Sequence, residues 1–325
     1  MKKVLVIQTA FLGDVILATA LIEKIHLAYP AAEISMLVRE GNESLLAGHP
    51  FLKEIHVWKK KENKLSNLAS MIVTIRKKQF DAVFNLQRFF SSGLITALSG
   101  APVKAGFKKN PLSFLFTHVT EHIIGDNRHE IDRNAELLKK FCDDKKVLPK
   151  LYPRESDYLK TEVYKTDGYV TMAPASVWFT KQLPENKWVE MIKAAPSGMM
   201  IYLLGSVADD ELCKRITLAS GNRNAINLAG KLNLLQSAAL MKDATMNYVN
   251  DSGPLHIASA MNAPVTAFFC STVPEFGFGP LSDNGVIVQT KLDLECKPCG
   301  LHGYKKCPLN HFKCGTTIEI PVPGQ

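Results

Sequence analysis

Short apolar runs alternate with helix-like segments along most of this 325-residue chain. In the first half the strand-like runs begin with KVLVIQTA (3–10) and continue to DAVFNL (81–86), with helical patterns between them. This alternation is typical of βαβ units, which form a parallel sheet covered by helices. The second half repeats it, from GYVTMAPA (168–175) to APVTAFFC (263–270). The sequence therefore predicts an α/β protein with two doubly wound sheets.

The length is enough for two domains of about 150 residues each. Two prolines and mixed charge interrupt the periodicity in LPKLYPRESD (148–157), where we expect the domain boundary, with a hinge near 150–165. We assign residues 1–158 to an N-terminal Rossmann-like domain and 159–325 to a C-terminal one. Two such domains are expected to face each other across a cleft, at the carboxyl ends of their strands, where α/β folds bind ligands.

The composition, 46% hydrophobic and 22% charged, is that of a globular protein. We expect it to be cytoplasmic, because no uninterrupted apolar run approaches the roughly 18 residues of a membrane span. The basic start Met1–Lys3 is followed by polar residues too soon for a signal peptide. The chain ends in EIPVPGQ (319–325), shorter than a full closing helix, which suggests a truncated or unusual C-terminus.

The net charge of +8 lies entirely in the first half. Residues 1–160 hold 25 Lys and Arg against 17 Asp and Glu, whereas the remainder holds 14 of each. The basic clusters are WKKKENK (58–64), RKK (76–78) and KAGFKKN (104–110). They indicate an anionic partner, either a membrane surface or an acidic substrate, although ordinary solvated lysines fit the pattern equally well.

Asp14 is expected in the first turn of the first helix, where free N–H groups and the helix dipole favour a carboxylate. A carboxylate at the mouth of a cleft is a candidate general base. Aspartate is also a common residue at helix starts whatever the protein does. The surrounding sequence matches neither the dinucleotide fingerprint nor the P-loop.

In the second half, Ser176 and Lys181 fall between a strand and a helix expected to begin near Pro184. A hydroxyl and an ammonium group there are suited to holding a phosphate, although a polar surface turn explains them as well.

A later strand ends at Asn250–Asp251, and Ser252–Gly253 opens a helix whose N-terminus is an anion site by geometry. Gly253 allows close backbone approach, and Asp251 or Ser252 can cap the helix. His256, one turn on, faces either a ligand or a neighbouring loop, and a structural role is the commoner one for such a histidine.

Four of the seven cysteines lie close together near the C-terminus, in a cysteine-rich segment at 296–314 with the spacing C-x2-C-x7-C-x6-C. In a reducing compartment this spacing indicates a structural zinc site first, because disulfides are disfavoured there. The candidate zinc ligands are Cys296, Cys299, Cys307 and Cys314.

Four motifs in order, TAFLGDVILATALI (9–22), PASVWFTKQLPENKW (174–188), NDSGPLHIASAMNAPV (250–265) and the cysteine pattern, resemble glycosyltransferase family 9, the ADP-heptose:lipopolysaccharide heptosyltransferases. The resemblance implies a GT-B fold, with acceptor bound by the N-terminal domain and nucleotide sugar by the C-terminal one. It does not require a metal. In one departure this chain has Cys270-Ser271-Thr272 where the family commonly has Gly-Pro-Thr or Gly-Pro-Ser. No acid near NLAGKLN (227–233) can be assigned to the donor ribose.

The resemblance also implies roles for individual residues. Asp14 corresponds to the catalytic base, and Ser176 and Lys181 to phosphate contacts. The donor-binding turn is matched by Asp251, Ser252 and Gly253, followed by His256. The basic first half then fits an anionic, lipid-linked sugar acceptor, with peripheral contact at the cytoplasmic face of the inner membrane and no nucleic acid.

The resulting hypothesis is an inverting transferase that moves heptose from ADP-heptose to the lipopolysaccharide inner core. Lys181 and the helix after Asp251 would stabilise the leaving diphosphate. The sequence has no D-x-D motif, which agrees with metal-independent catalysis. The alternatives are a GT-B enzyme with another nucleotide sugar and a non-catalytic nucleotide-sugar-binding protein. An oxidoreductase is disfavoured, because no G-x-G-x-x-G follows the first strand of either domain.

Overall fold

The computed structural model describes residues 1–60 and 63–324. It divides into two compact units, Met1–Tyr152 and Pro153–Gln325. Lys61 and Glu62, part of the basic cluster 58–64, lie outside the described residues.

The first unit is built on a six-stranded parallel sheet. Its elements are β1 (Lys3–Ile7), α1 (Leu12–Ala28), β2 (Glu33–Arg39), β3 (Leu52–Trp58), α2 (Lys64–Lys78), β4 (Ala82–Asn85), α3 (Phe90–Leu98), β5 (Val103–Phe107), β6 (His118–Thr120) and α4 (Glu130–Ala135). The strand order is β3-β2-β1-β4-β5-β6. This is the strand order of the Rossmann fold. The first three strands are added toward one edge of the sheet, and from β4 onward they are added toward the other edge, so the order reverses between β1 and β4.

The second unit repeats the same order with different strands. Its elements are α5 (Glu155–Thr161), β7 (Tyr169–Ala173), α6 (Glu185–Ala194), β8 (Met200–Leu203), α7 (Asp210–Ser220), β9 (Ala225–Asn227), α8 (Leu234–Lys242), β10 (Met246–Asn250), α9 (Gly253–Ala260), β11 (Val265–Phe269), β12 (Gly285–Gln289) and α10 (Lys313–Thr316). The sheet runs β12-β11-β10-β7-β8-β9, with all pairs parallel. The strand order therefore reverses between β7 and β10, and we call this place the reversal point of the second sheet.

Buried apolar strands explain why both sheets form. Every residue of β7 and β11 is buried, as are four of the five in β1. Parallel strands covered on both faces read as continuous apolar runs, which is the pattern seen in the sequence. In the second unit Trp188 of α6 packs edge-on to Phe268 of β11, with ring centroids 5.4 Å apart. The prediction of two doubly wound parallel sheets is confirmed.

The core of the first unit also contains a charged cluster. Arg133 is completely buried and pairs with Glu130, Nη2 to Oε2 at 2.9 Å, and with Asp126 at 3.4 Å. Burial alone would raise the pKa of Glu130, but the hydrogen bond from His122 and the charges of His122 and Arg133 outweigh it and hold that pKa below its usual range. Such a carboxylate contributes stability at neutral pH that is lost as the pH falls into the acid range.

We expect Arg133→Met to lower the free energy of unfolding of the first unit by about 3–5 kcal/mol, because the buried Glu130 would lose its arginine partner and keep only the contact with His122. Arg128→Met is the control: the Arg128 side chain is 40% exposed and pairs with Asp126 at the surface, where such pairs contribute about 1 kcal/mol or less. Urea denaturation followed by circular dichroism gives both values. Equal losses in the two variants would contradict the assignment.

Candidate functional site

Lys181 and Asp251 lie on loops that follow β7 and β10, the two strands at the reversal point of the second sheet. Lys181 Nζ is 2.6 Å from Asp251 Oδ2, and the side chains are only 15% and 7% exposed. Thr272 Oγ1, after β11, donates to the same carboxylate oxygen at 2.6 Å. Open α/β sheets bind ligands outside the carboxyl ends of the strands at this point. The predicted phosphate-binding lysine is thus held in the place that the fold provides for a ligand.

Asn250, the last residue of β10, fixes the shape of the loop that carries Lys181. Its side chain is fully buried; Nδ2 donates to Pro174 O at 2.8 Å, and Oδ1 accepts from Leu183 N at 2.9 Å. Both ends of the loop are therefore bound to the strand that precedes Asp251. The sequence predicts Asn250 only as the end of a strand, although a polar side chain that closes a buried strand is a usable signal of such a role.

Ser176 lies in the same loop, partly buried, and its carbonyl oxygen accepts from Gln182 Nε2 at 2.6 Å. The next helix, α6, begins at Glu185 with Pro184 as N-cap residue, as predicted. Ser176 and Lys181 therefore share one short connection at the carboxyl edge of the sheet.

Helix α9 begins at Gly253 with Ser252 in the N-cap position, but the Ser252 side chain makes no capping hydrogen bond. The predicted capping role is therefore wrong for both candidates: the Ser252 hydroxyl bonds Asn250 O at 3.4 Å, and the Asp251 carboxylate is used by Lys181 and Thr272. An anion would meet helix N–H groups that no side chain of the cap occupies.

His256 is buried in α9, with its ring centroid 6.4 Å from that of Phe278 and the two planes steeply inclined. His256 thus contacts the loop that carries Phe278, and its predicted place beside the donor stays a prediction.

Asp14 lies in the other unit, in the first turn of α1 and partly exposed, as predicted. Hydrogen bonds hold the loop that precedes Asp14. Asn42 Nδ2 donates to Ala10 O at 3.1 Å, and Ala10 N donates to Gln8 Oε1 at 3.2 Å. Lys60 Nζ donates to Thr9 Oγ1 at 2.6 Å. These polar contacts fix the backbone that carries the candidate base.

Cationic side chains lie over aromatic rings at the carboxyl edge of the first sheet. Arg39 lies 4.8 Å from the Phe11 ring centroid, Lys60 4.7 Å from that of Trp58, and Arg88 5.5 Å from that of Phe89. Arg39 is the last residue of β2, Lys60 follows β3 and Arg88 follows β4. Because the strands are parallel, their carboxyl ends lie at one edge of the sheet, which is also the edge where α1 and Asp14 follow β1. We call Arg39, Lys60 and Arg88 the basic edge.

Burial, with a smaller contribution from the Arg39 charge, lowers the pKa of Lys60 to about 8. Lys60 is therefore a cation at neutral pH that loses its proton in mildly alkaline solution.

The family model of glycosyltransferase family 9 (heptosyltransferase) matches residues 68–308. The chain belongs to glycosyltransferase family 9. Among its relatives, lipopolysaccharide heptosyltransferase 1 of Campylobacter coli is 25% identical over 83% of this chain and 84% of its own length. Lipopolysaccharide heptosyltransferase 3 of Escherichia coli K12 is 28% identical over 80% of each. The protein is thus a glycosyltransferase, as the resemblance predicted.

The solved structure of the Escherichia coli ADP-heptose lipopolysaccharide heptosyltransferase II has a TM-score of 0.76 to this family 9 chain, covering 91% of it and 92% of the solved chain at 22% identity. The likeness shows the fold and confirms the predicted GT-B class. No helix in the described part of this family member is long and apolar enough to cross a membrane.

The predicted zinc site is not shown in the cysteine-rich segment of this family 9 protein. Among residues 1–60 and 63–324 no three His, Cys, Asp or Glu side chains form a group that could hold a metal ion. The segment instead packs on its domain: Ile318, just beyond it, is buried in the core cluster, and Phe312 lies 5.1 Å from the Phe179 ring.

Proposed function

We propose that this family 9 glycosyltransferase moves a heptose from ADP-heptose to the lipopolysaccharide inner core with inversion at the anomeric carbon. The observation that carries the proposal is the Lys181–Asp251 pair at the reversal point of the second sheet, beside the N-terminus of α9. The names of the relatives support the heptosyl donor and the lipopolysaccharide acceptor. Those relatives, at 25% and 28% identity, are numbered 1 and 3, so the proposal is not assigned to one step of the inner core.

The donor is proposed to bind in the second unit through its diphosphate. Lys181 would exchange part of its contact with Asp251 for a phosphate oxygen, as a point charge. Ser176 would donate a hydroxyl hydrogen, and the N–H groups at Ser252 and Gly253 would meet the opposite side of the diphosphate. His256 would support this turn from within α9.

The acceptor hydroxyl is proposed to lose its proton to the carboxylate of Asp14 while its oxygen attacks the anomeric carbon of the heptose. The bond from that carbon to the diphosphate oxygen breaks, and ADP leaves with the bonding electrons. Lys181 and the α9 N-terminus would stabilise this added negative charge. The proposed reaction needs no divalent cation, so EDTA should leave its rate unchanged.

The acceptor is proposed to be an anionic, lipid-linked core sugar bound at the basic edge. Arginine and lysine recognise phosphate and carboxylate groups, and the Phe11 and Phe89 side chains, 50% and 51% exposed, can contact a sugar through an apolar ring face. We place the protein in the cytoplasm, peripherally at the cytoplasmic face of the inner membrane, because the acceptor is lipid-anchored and the positive excess lies in the first half of the chain.

Binding of the acceptor should weaken as Lys60 loses its proton. Because its pKa is about 8 in the free protein, the acceptor KM should rise roughly five- to tenfold between pH 7 and pH 9.5, the loss of one charged contact. Lys60→Gln should have a high KM with little pH dependence over this range. The measurement is initial rate against acceptor concentration at several pH values. An unchanged pH profile in the variant would remove Lys60 from the acceptor site.

A nucleotide competition panel tests the donor assignment against the other nucleotide sugars. Thermal shift and calorimetry with ADP, UDP and GDP should show binding of ADP, and ADP-heptose should bind more tightly than ADP. Preference for UDP or GDP would support the GT-B enzyme with another donor. Binding of ADP-heptose without turnover on any core acceptor would support the non-catalytic alternative.

A further inference from the structure

The cysteine-rich segment reaches the loop that carries Lys181 and bonds it directly. Thr180 N donates to Tyr304 O at 3.1 Å, and Tyr304 N donates back to Thr180 Oγ1 at 2.7 Å. Gly303 makes this approach possible, because a Cβ there would lie 2.8 Å from Thr180 Oγ1 and 3.0 Å from Lys181 Cγ. Its φ of +75° also favours glycine. The two segments therefore touch along their backbones beside the lysine.

Thr180 is bonded on its other side to the loop after β11. Ser271 N donates to Thr180 O at 3.2 Å, and Ser271 Oγ donates to Thr180 Oγ1 at 3.0 Å. Ser271 is the position at which the family commonly has proline, which lacks the amide hydrogen that the first of these bonds requires. Cys299 N in turn donates to Ser271 O at 2.8 Å. We call Thr180, Ser271 and Tyr304 the Thr180 junction.

Two of the three residues of the Thr180 junction are followed in the sequence by a residue that contacts the Asp251 carboxylate. Lys181 follows Thr180, and Thr272, which bonds Asp251, follows Ser271. Thr180 and Ser271 are completely buried. Their hydrogen bonds consequently set the spacing between the two loops whose next residues both contact the Asp251 carboxylate.

We infer that Thr180 is a positioning residue for Lys181, and that residues 299–304 of the cysteine-rich segment form a further wall of the donor site. This inference rests on the proposed donor-binding role of Lys181. In this role the segment closes the Thr180 junction from the side opposite Ser271. Loss of the Thr180 hydroxyl leaves Tyr304 N and Ser271 Oγ without their acceptor, so the two loops and Lys181 shift.

Thr180→Val removes the hydroxyl and keeps the shape of the side chain, whereas Thr180→Ser keeps the hydroxyl. We expect the valine variant to raise the donor KM about tenfold and to weaken ADP binding equally, and the serine variant to stay within about twofold of the wild type. Thr171→Val is the matched control, because Thr171 is also fully buried and its hydroxyl bonds Asn247 Oδ1, away from the loops. It should lose comparable thermal stability and keep the wild-type donor KM.

A double variant separates positioning from general loosening of the domain. If Thr180 acts through Lys181, then Thr180→Val should change the affinity for ADP less than twofold in a Lys181→Met background. The inference is overturned if Thr180→Val and Thr171→Val have the same donor KM, or if the effect persists without Lys181. Inactivity of the well-folded wild type toward ADP-heptose, with ADP binding still sensitive to Thr180→Val, would overturn the proposed function and leave the positioning role standing.

Discussion

Asp14→Asn should lower kcat for heptosyl transfer by about 10²–10⁴-fold, the contribution typical of a general base. The amide has nearly the shape of the carboxylate but does not accept a proton at neutral pH. ADP and ADP-heptose should bind with wild-type affinity, because the proposed diphosphate contacts belong to the other unit. Acceptor-dependent ADP release measures the rate, and calorimetry measures the binding.

Asp144→Asn is the control for this variant, since Asp144 is an exposed carboxylate of the same unit. It should retain full activity. Equal kcat for Asp14→Asn and the wild type would remove Asp14 from the role of base, whereas a parallel loss of ADP binding would indicate a folding defect instead.

Lys181→Met should lower kcat/KM by roughly 10²–10³-fold and weaken ADP binding at least tenfold. The thioether keeps most of the length of the side chain and removes the charge that would meet the diphosphate. The variant also leaves the Asp251 carboxylate, 7% exposed, with the hydroxyl of Thr272 but without its ion-pair partner. A lower melting temperature is therefore expected, and rates are compared well below it.

Two further variants separate these effects. Lys187→Met removes a lysine of α6 that pairs with Glu190 at 3.5 Å and takes no part in the Lys181–Asp251 pair. It should leave ADP binding unchanged. The Lys181→Met/Asp251→Asn double variant removes the unpaired charge and should recover part of the stability without recovering activity. Wild-type ADP affinity in Lys181→Met would exclude Lys181 from the diphosphate site.

The apolar strands and the helix starts made the fold predictable from the sequence. Continuous runs such as β1 and β7 are long enough to identify buried parallel strands, and the Rossmann order then places the loops after β7 and β10 side by side. The nearness of Lys181 and Asp251 follows from that order alone. Two weak strands were not predicted: β6 has only three residues, and β12, although it contains the apolar run Val286–Val288, is largely exposed, so neither resembles the long buried runs of the other strands.

The Thr180 junction was not predictable for a different reason. Its bonds join segments more than 90 residues apart, and Thr180, Ser271 and Tyr304 carry no spacing pattern that relates them. The spacing of the cysteines predicts metal binding, but it carries no information on the core packing of the segment or on its backbone hydrogen bonds to Thr180 and Ser271. Local spacing thus identified the segment and missed its contacts.

The most direct test of the account is ADP release from ADP-heptose by the wild-type protein, measured with and without heptose-deficient lipopolysaccharide core. The account predicts release that depends on the acceptor, with one heptose added to the core for each ADP formed, and no effect of EDTA. Absence of acceptor-dependent release from a folded protein that binds ADP would contradict it.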